Sequence, residues 1–194
     1  MYKVNRIVVS KYINKKFSDR DREILRYTRM GISERRKTQY ILLIFYLGVV
    51  GTCASLVLNN YKNSEPNDNL MLIFLFPILL IVPIHTLFWY HTLKVEQLDA
   101  ERRSIIPDLK NWQSIMGIVS VNVTLLLPLI ALPFLSGFLL HKENECLFKN
   151  FHFLSVFHGS VIVFLVAIFV EIDGHIQRRK IISNESNKKS SNQV

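Results

Sequence analysis

Four long apolar runs dominate this sequence: residues 40–58, 70–90, 114–140 and 151–172. Each approaches or exceeds the roughly 20 residues that a helix needs to cross about 30 Å of hydrocarbon. The first three contain no Asp, Glu, Lys or Arg, and the fourth contains only Glu171, at its end. Backbone polar groups inside lipid must be satisfied within their own segment, so runs of this length predict helices. The expected fold is an all-α polytopic membrane protein with four transmembrane helices. The first run begins forty residues in, behind a charged segment and with no A-x-A pattern after it, so it reads as an anchor and not a cleaved signal.

Charge sets the expected orientation. Of 24 Lys and Arg, 21 fall in residues 1–39, 91–113 and 173–194, and 3 fall in the two alternate loops. Basic residues are retained on the cytoplasmic side, which predicts cytoplasmic termini, external loops at 59–69 and 141–150, and residence in the plasma (inner) membrane. Trp89 and Tyr90 stand at a span end as candidate interfacial anchors. A net charge of +9 and a pI near 9.7 also suit nucleic-acid binding. Here the basic residues flank apolar runs instead of marking one folded domain, so no nucleic-acid partner is expected.

Three regions follow: a basic cytoplasmic arm (1–39), the membrane domain (40–172) and a basic tail (173–194) expected to be largely disordered. In the arm, Ser18 suits an N-cap, Gly31 suits a helix stop after Met30, and Ser33 suits a second cap. This predicts a short helix over 18–30, then a separate helix running through Arg35, Arg36 and Lys37 into the membrane. Arg20, Arg22, Arg26 and Arg29 share the short helix with Ile24, Leu25, Tyr27 and Met30. All seven basic residues are therefore candidate contacts for the bilayer surface, anionic lipids in particular. Between spans 2 and 3, the charged segment before Pro107 predicts a cytoplasmic helical hairpin.

Lipid offers helices no hydrophobic gain on association, so small residues mark packing faces. Gly48, Gly51, Thr52 and Ser55 form one such face; Gly117, Ser120 and Thr124 another; Ser155, Gly159 and Ser160 a third. These serve either the bundle itself or a partner, which would be a second copy or another membrane protein. Pro77 and Pro83, and Pro128 and Pro133, are expected to interrupt spans 2 and 3.

His85, Asn122, Thr124, His158 and Glu171 are the candidate polar positions inside the membrane. At 1.5 Å per residue, His85 and His158 lie roughly 13 Å apart in depth, too far to share one haem iron. His85 should face protein or trapped water, because lipid would leave its ring nitrogens unpaired. Glu171 and His175 lie four residues apart on one helix side, near His85 and His91 at the inner face. Carboxylate and imidazole together suit a divalent metal, yet no established ligand spacing is present. No catalytic residue, metal or cofactor is assigned, and the chain is expected not to be an enzyme. Cys53 lies inside a span and Cys146 alone in an outer loop, with no intramolecular disulfide expected. Three function classes follow: an associating membrane component that perturbs or permeates the bilayer, a small transporter or channel subunit, and a membrane enzyme or metal-binding protein using the inner His/Glu cluster.

Overall fold

The computed structural model describes residues 17–63, 72–106, 115–141 and 151–191; within these, the side chains of 61–63, 115–121, 139–141 and 185–191 lie outside the description. The described residues form four long helices: α1 (Asp19–Asn63), α2 (Leu75–Ile105), α3 (Ile115–His141) and α4 (Phe151–Ser191). By length and composition α1, α2 and α4 can each cross a membrane, and α3 carries a shorter apolar stretch at Asn122–Phe138. The chain is a small helical membrane protein of the expected all-α class.

The distribution of side chains supports this. Outward positions carry Ile44 (70% exposed), Phe134 (75%), Phe138 (76%) and Phe169 (73%), an apolar exterior that water would not tolerate over so large a surface. His85, Thr92, Ser136 and Asn122 are buried instead. Lipid supplies no hydrogen bonds, so polar side chains turn toward one another.

Helix α2 is the centre, packed against α1 on one side and α4 on the other, with α3 resting mainly on α4. Phe74, Ile78, Ile81, Ile84 and Phe88 of α2 fill the apolar half of the core. They meet Tyr46 and Val57 of α1, Leu125, Leu129 and Leu132 of α3, and Val156 and Val163 of α4. With no hydrophobic drive in lipid, this half is held by close dispersion contact and requires good packing.

Helix α1 begins where Ser18 predicts: its Oγ accepts from the Asp21 backbone N–H at 3.1 Å, and Asp19 and Asp21 favour the positive helix N-terminus. The expected break at Gly31 is absent, and one helix of 45 residues carries the arm into the membrane segment. Gly31 serves a different purpose. A Cβ there would lie 2.9 Å from Leu98 Cδ1, so the missing side chain lets α1 close on α2. Ser33, in turn, lies within a helix and caps nothing.

The prolines also depart from expectation. Pro77 sits in the first turn of α2, where its absent N–H would have no intrahelical partner. Pro83, Pro128 and Pro133 lie inside helices that continue past them. The charged segment 91–105 continues α2 as the first arm of the expected hairpin; its second arm, from Pro107, falls outside the described residues.

The small-residue faces divide. Ser160 is buried, and a Cβ on Gly159 would lie 2.9 Å from Leu75, so this face packs inside the bundle. Around Gly48 and Gly51 a Cβ would meet nothing within 4 Å, so among the described residues nothing packs on this α1 face. Thr52 is exposed and donates its hydroxyl to Gly48 O of its own helix. The side chains at 117 and 120 are not described. The tightest position is Gly174, where a Cβ would come within 3.0 Å of three Trp89 ring atoms. Gly174→Ala is therefore expected to destabilise the fold by about 1–3 kcal/mol, whereas Gly51→Ala stays within ~0.5 kcal/mol. Thermal denaturation of both variants in one detergent measures the difference.

Candidate functional site

Heptad-like spacing on α2 builds the site. His85, Trp89, Thr92, Glu96, Asp99 and Arg103 recur at alternating steps of four and three residues, and all six are buried. An α-helix presents such positions as one seam, the geometry by which helices pack side by side. In the apolar half of α2 the seam is filled by Ile and Phe; from His85 onward it is filled by polar groups.

At the membrane end of this seam, Glu171 of α4 is the hub. His85 Nε2 lies 3.1 Å from Glu171 Oε2, and Trp89 Nε1–H donates to the same oxygen at 2.8 Å. From α3, Asn122 Nδ2 donates to Oε1 at 2.8 Å and to Oε2 at 2.9 Å. His175, one turn further along α4, places Nε2 3.1 Å from Oε1. An ionised carboxylate only accepts, so both imidazoles donate through Nε2 and the group is ringed by N–H donors from three helices. Each such contact gains charge assistance where water is scarce. The Trp89 and His175 rings meet edge-on with centroids 4.9 Å apart, which fixes His175 over the indole.

Exposure falls along the centre. The side chain of His175 is 40% exposed, that of Glu171 25% and that of His85 0%. At the buried end two atoms have no hydrogen-bond partner, His85 Nδ1 and Asn122 Oδ1. An unpaired buried polar atom carries a desolvation cost of about 1–3 kcal/mol. Two of them beside one carboxylate mark where a water or a proton would be held.

Seven residues along both helices, roughly two turns, stands a second network. Arg178 Nε of α4 donates to Glu96 Oε2 at 3.0 Å, and Arg103 contacts Glu96 Oε1 at 3.4 Å and Asp99 Oδ2 at 2.9 Å. Glu96 is 1% exposed and Asp99 3%. Between the two networks, Gln39 of α1 donates from Nε2 to Thr92 Oγ1 at 2.8 Å and to Phe88 O at 3.2 Å. Polar contacts from one seam of α2 thus tie it to both α1 and α4.

Of the candidate intramembrane positions, the structure brings together His85, Asn122 and Glu171, and joins His175 and Trp89 to them. Trp89 is 3% exposed with its N–H turned inward, so it is not the interfacial anchor expected; Tyr90, 47% exposed, remains outside. Thr124 is half-buried and lies two residues beyond Asn122, about half a turn of α3. His158 stands apart: it is exposed, with Nδ1 2.7 Å from Leu154 O of its own helix. Glu96, Asp99, Arg103 and Arg178 are not among the candidate positions; for the three on α2 the available signal was their alternating spacing with His85, Trp89 and Thr92, and for Arg178 its seven-residue separation from Glu171. Among the described residues no group of His, Cys, Asp and Glu is arranged to hold a metal ion. The chain matches no family model, no curated protein and no solved structure.

The basic arm residues divide as well. Arg20, Arg22, Arg26, Arg29 and Lys37 are exposed, whereas Arg35 and Arg36 are half-buried. Arg35 Nη1 lies 3.4 Å from His91 Nδ1, and its guanidinium sits 5.6 Å from the Tyr90 ring centroid. Burial, and then the Arg35 charge, hold the His91 imidazole below its ordinary value. The folded state therefore disfavours the protonated ring. The associated stability is present above the usual histidine value of about 6.5 and is lost as pH falls through the depressed one. Arg35→Gln should raise the His91 value toward normal and shrink this acid-side loss. An NMR titration of the His91 ring in both proteins measures the shift.

Proposed function

We propose that the protein is a non-enzymatic membrane component that acts by association, its bundle closed by the Glu171 centre as a structural lock. The observation that carries this reading is that both Glu171 oxygens are occupied by N–H donors from α2, α3 and α4. A carboxylate so saturated has no acceptor position left for a substrate, and its donors come from the helices that most need tying together. The basic residues at one end of the bundle favour cytoplasmic termini, with the charged ends of α1, α2 and α4 on the cytoplasmic side. The Gly48/Gly51 face of α1, on which no described residue packs, is compatible with a second copy or another membrane helix as partner.

Mass measurement of the intact protein in nanodiscs tests association. A defined oligomer that Gly51→Ile reduces to monomer supports the reading; a wild-type protein that is monomeric at every lipid-to-protein ratio contradicts self-association. Cysteine labelling in intact cells tests orientation: Asn63→Cys is expected to label from outside and Ser10→Cys to be protected.

A second reading, a proton-coupled carrier, is favoured by the graded exposure from His175 through Glu171 to His85 and by the unpartnered His85 Nδ1. A proton would enter at the exposed histidine and be held at the buried one. The two readings part at His85→Gln. Dye-filled proteoliposomes under a pH gradient should acidify no faster with wild type than with this variant if the centre is a lock. Proton flux that the variant abolishes supports the carrier.

A further inference from the structure

At the junction of the charged and apolar parts of α1, the helix leaves a cleft against α2 of about 420 Å³. Four basic side chains line it: Arg29, Arg36 and Lys37 of α1, and Arg102 of α2, with the Ser33 hydroxyl between them. None of its described lining residues is acidic. Asp99 Oδ1 lies 3.5 Å from Arg102 Nη1 and orients that guanidinium at the rim. Residues 29, 33, 36 and 37 fall on one helical face, so their assembly follows from spacing alone. Arg102 is brought in by packing.

The floor of the cleft is of another character. The buried Ile32 lines it beside Tyr40, Ile41 and Ile44, which are 59%, 56% and 70% exposed. They open the first apolar run, so the cleft passes from four cations into lipid-facing surface within two turns, roughly 11 Å.

We propose that this cleft is a binding site for one anionic phospholipid. Its phosphate is held by Arg36, Lys37 and Arg102, Arg29 reaches the outer part of the headgroup, and an acyl chain lies along Ile41 and Ile44. Guanidinium groups match phosphate geometry with paired donors, and lysine adds a point charge. A free phosphate would gain from the cations and nothing from the apolar floor. A phospholipid uses both, and its headgroup depth places it where the two meet. Basic clefts between membrane helices at the inner leaflet suit this ligand class, which is concentrated in that leaflet. The site is distinct from the diffuse attraction expected of Arg20, Arg22 and Arg26, which do not line the cleft.

The test uses full-length protein in nanodiscs of phosphatidylcholine with phosphatidylglycerol added, with lipid retention read by native mass spectrometry. Wild type is expected to retain one phosphatidylglycerol after release from the disc. Arg36→Gln/Lys37→Gln/Arg102→Gln should weaken retention roughly a hundredfold, from about one kcal/mol per surface basic residue. Arg20→Gln/Arg22→Gln/Arg26→Gln removes equal charge outside the cleft and should leave retention unchanged. Ser33→Trp, which fills the cleft without altering charge, should abolish retention and keeps the test valid if the triple variant does not fold. Equal losses in the two triple variants would overturn the proposal in favour of non-specific surface attraction. Displacement of the lipid by millimolar inorganic phosphate would overturn it in favour of a soluble anion.

Discussion

Glu96→Ala is expected to lose about 3–5 kcal/mol of stability, the largest effect of any single substitution considered, because it leaves two buried arginines without their shared carboxylate. Glu96 is 1% exposed and is held by Arg178 at 3.0 Å and Arg103 at 3.4 Å. Asp99, 2.9 Å from Arg103, compensates only one of the two cations. The burden falls on Arg178, 7% exposed, whose carboxylate partner among the described residues is Glu96. Desolvation of two opposite charges nearly cancels their attraction, so removing both should cost little. Glu96→Leu with Arg178→Leu is therefore expected to recover most of the lost stability, leaving the double variant within about 1 kcal/mol of wild type. Denaturant titration of Glu96→Leu, Arg178→Leu and the double variant in mixed micelles measures the cycle. Additive losses would mean that the pair is not coupled.

The second large effect belongs to Glu171. Removing its carboxylate by Glu171→Ala leaves the His85, Trp89 and Asn122 donors without their shared acceptor, a loss of about 3 kcal/mol. One quarter of the Glu171 side chain is exposed, which lets water soften the penalty and places this effect below that of Glu96. Glu171→Gln should fall between: its carbonyl oxygen still accepts, but its amide now faces donors. The same Glu171→Ala change should loosen α3, which reaches the centre through Asn122. Limited proteolysis of both variants should then cut α3 faster in the alanine protein than in the glutamine protein. Indistinguishable cleavage would show that α3 is held by apolar contacts alone.

The membrane-spanning helices were legible because apolar runs of this length have one stable solution in lipid. Ser18 was legible for a related reason, since an N-cap is a local property of a few residues. Gly31 was not. A glycine reads equally as a stop or as a place for close approach, and only the neighbour, Leu98, decides. His85, Asn122 and Glu171 could be named one by one as polar groups in an apolar setting that require partners. Their convergence depended on the rotation of three helices, which no single run encodes. Trp89 was misplaced because an amphipathic ring at a span end suits both the headgroup layer and a buried carboxylate. Glu96, Asp99 and Arg103 continue the alternating spacing of His85, Trp89 and Thr92, but a charged segment beyond the apolar run gives no sign of burial until α4 brings Arg178 against it.

The central claim is that polar chemistry is turned inward and gathered on Glu171, and the indole of Trp89 tests it most directly. In a Trp112→Phe background Trp89 is the remaining tryptophan of the two, so ¹⁵N-labelled protein in nanodiscs gives a single indole N–H resonance. Hydrogen-bonded to a carboxylate at 2.8 Å and 3% exposed, this proton should resonate downfield, exchange slowly with deuterated water and move strongly upfield in Glu171→Gln. A fast-exchanging indole proton that Glu171→Gln leaves in place would contradict the account.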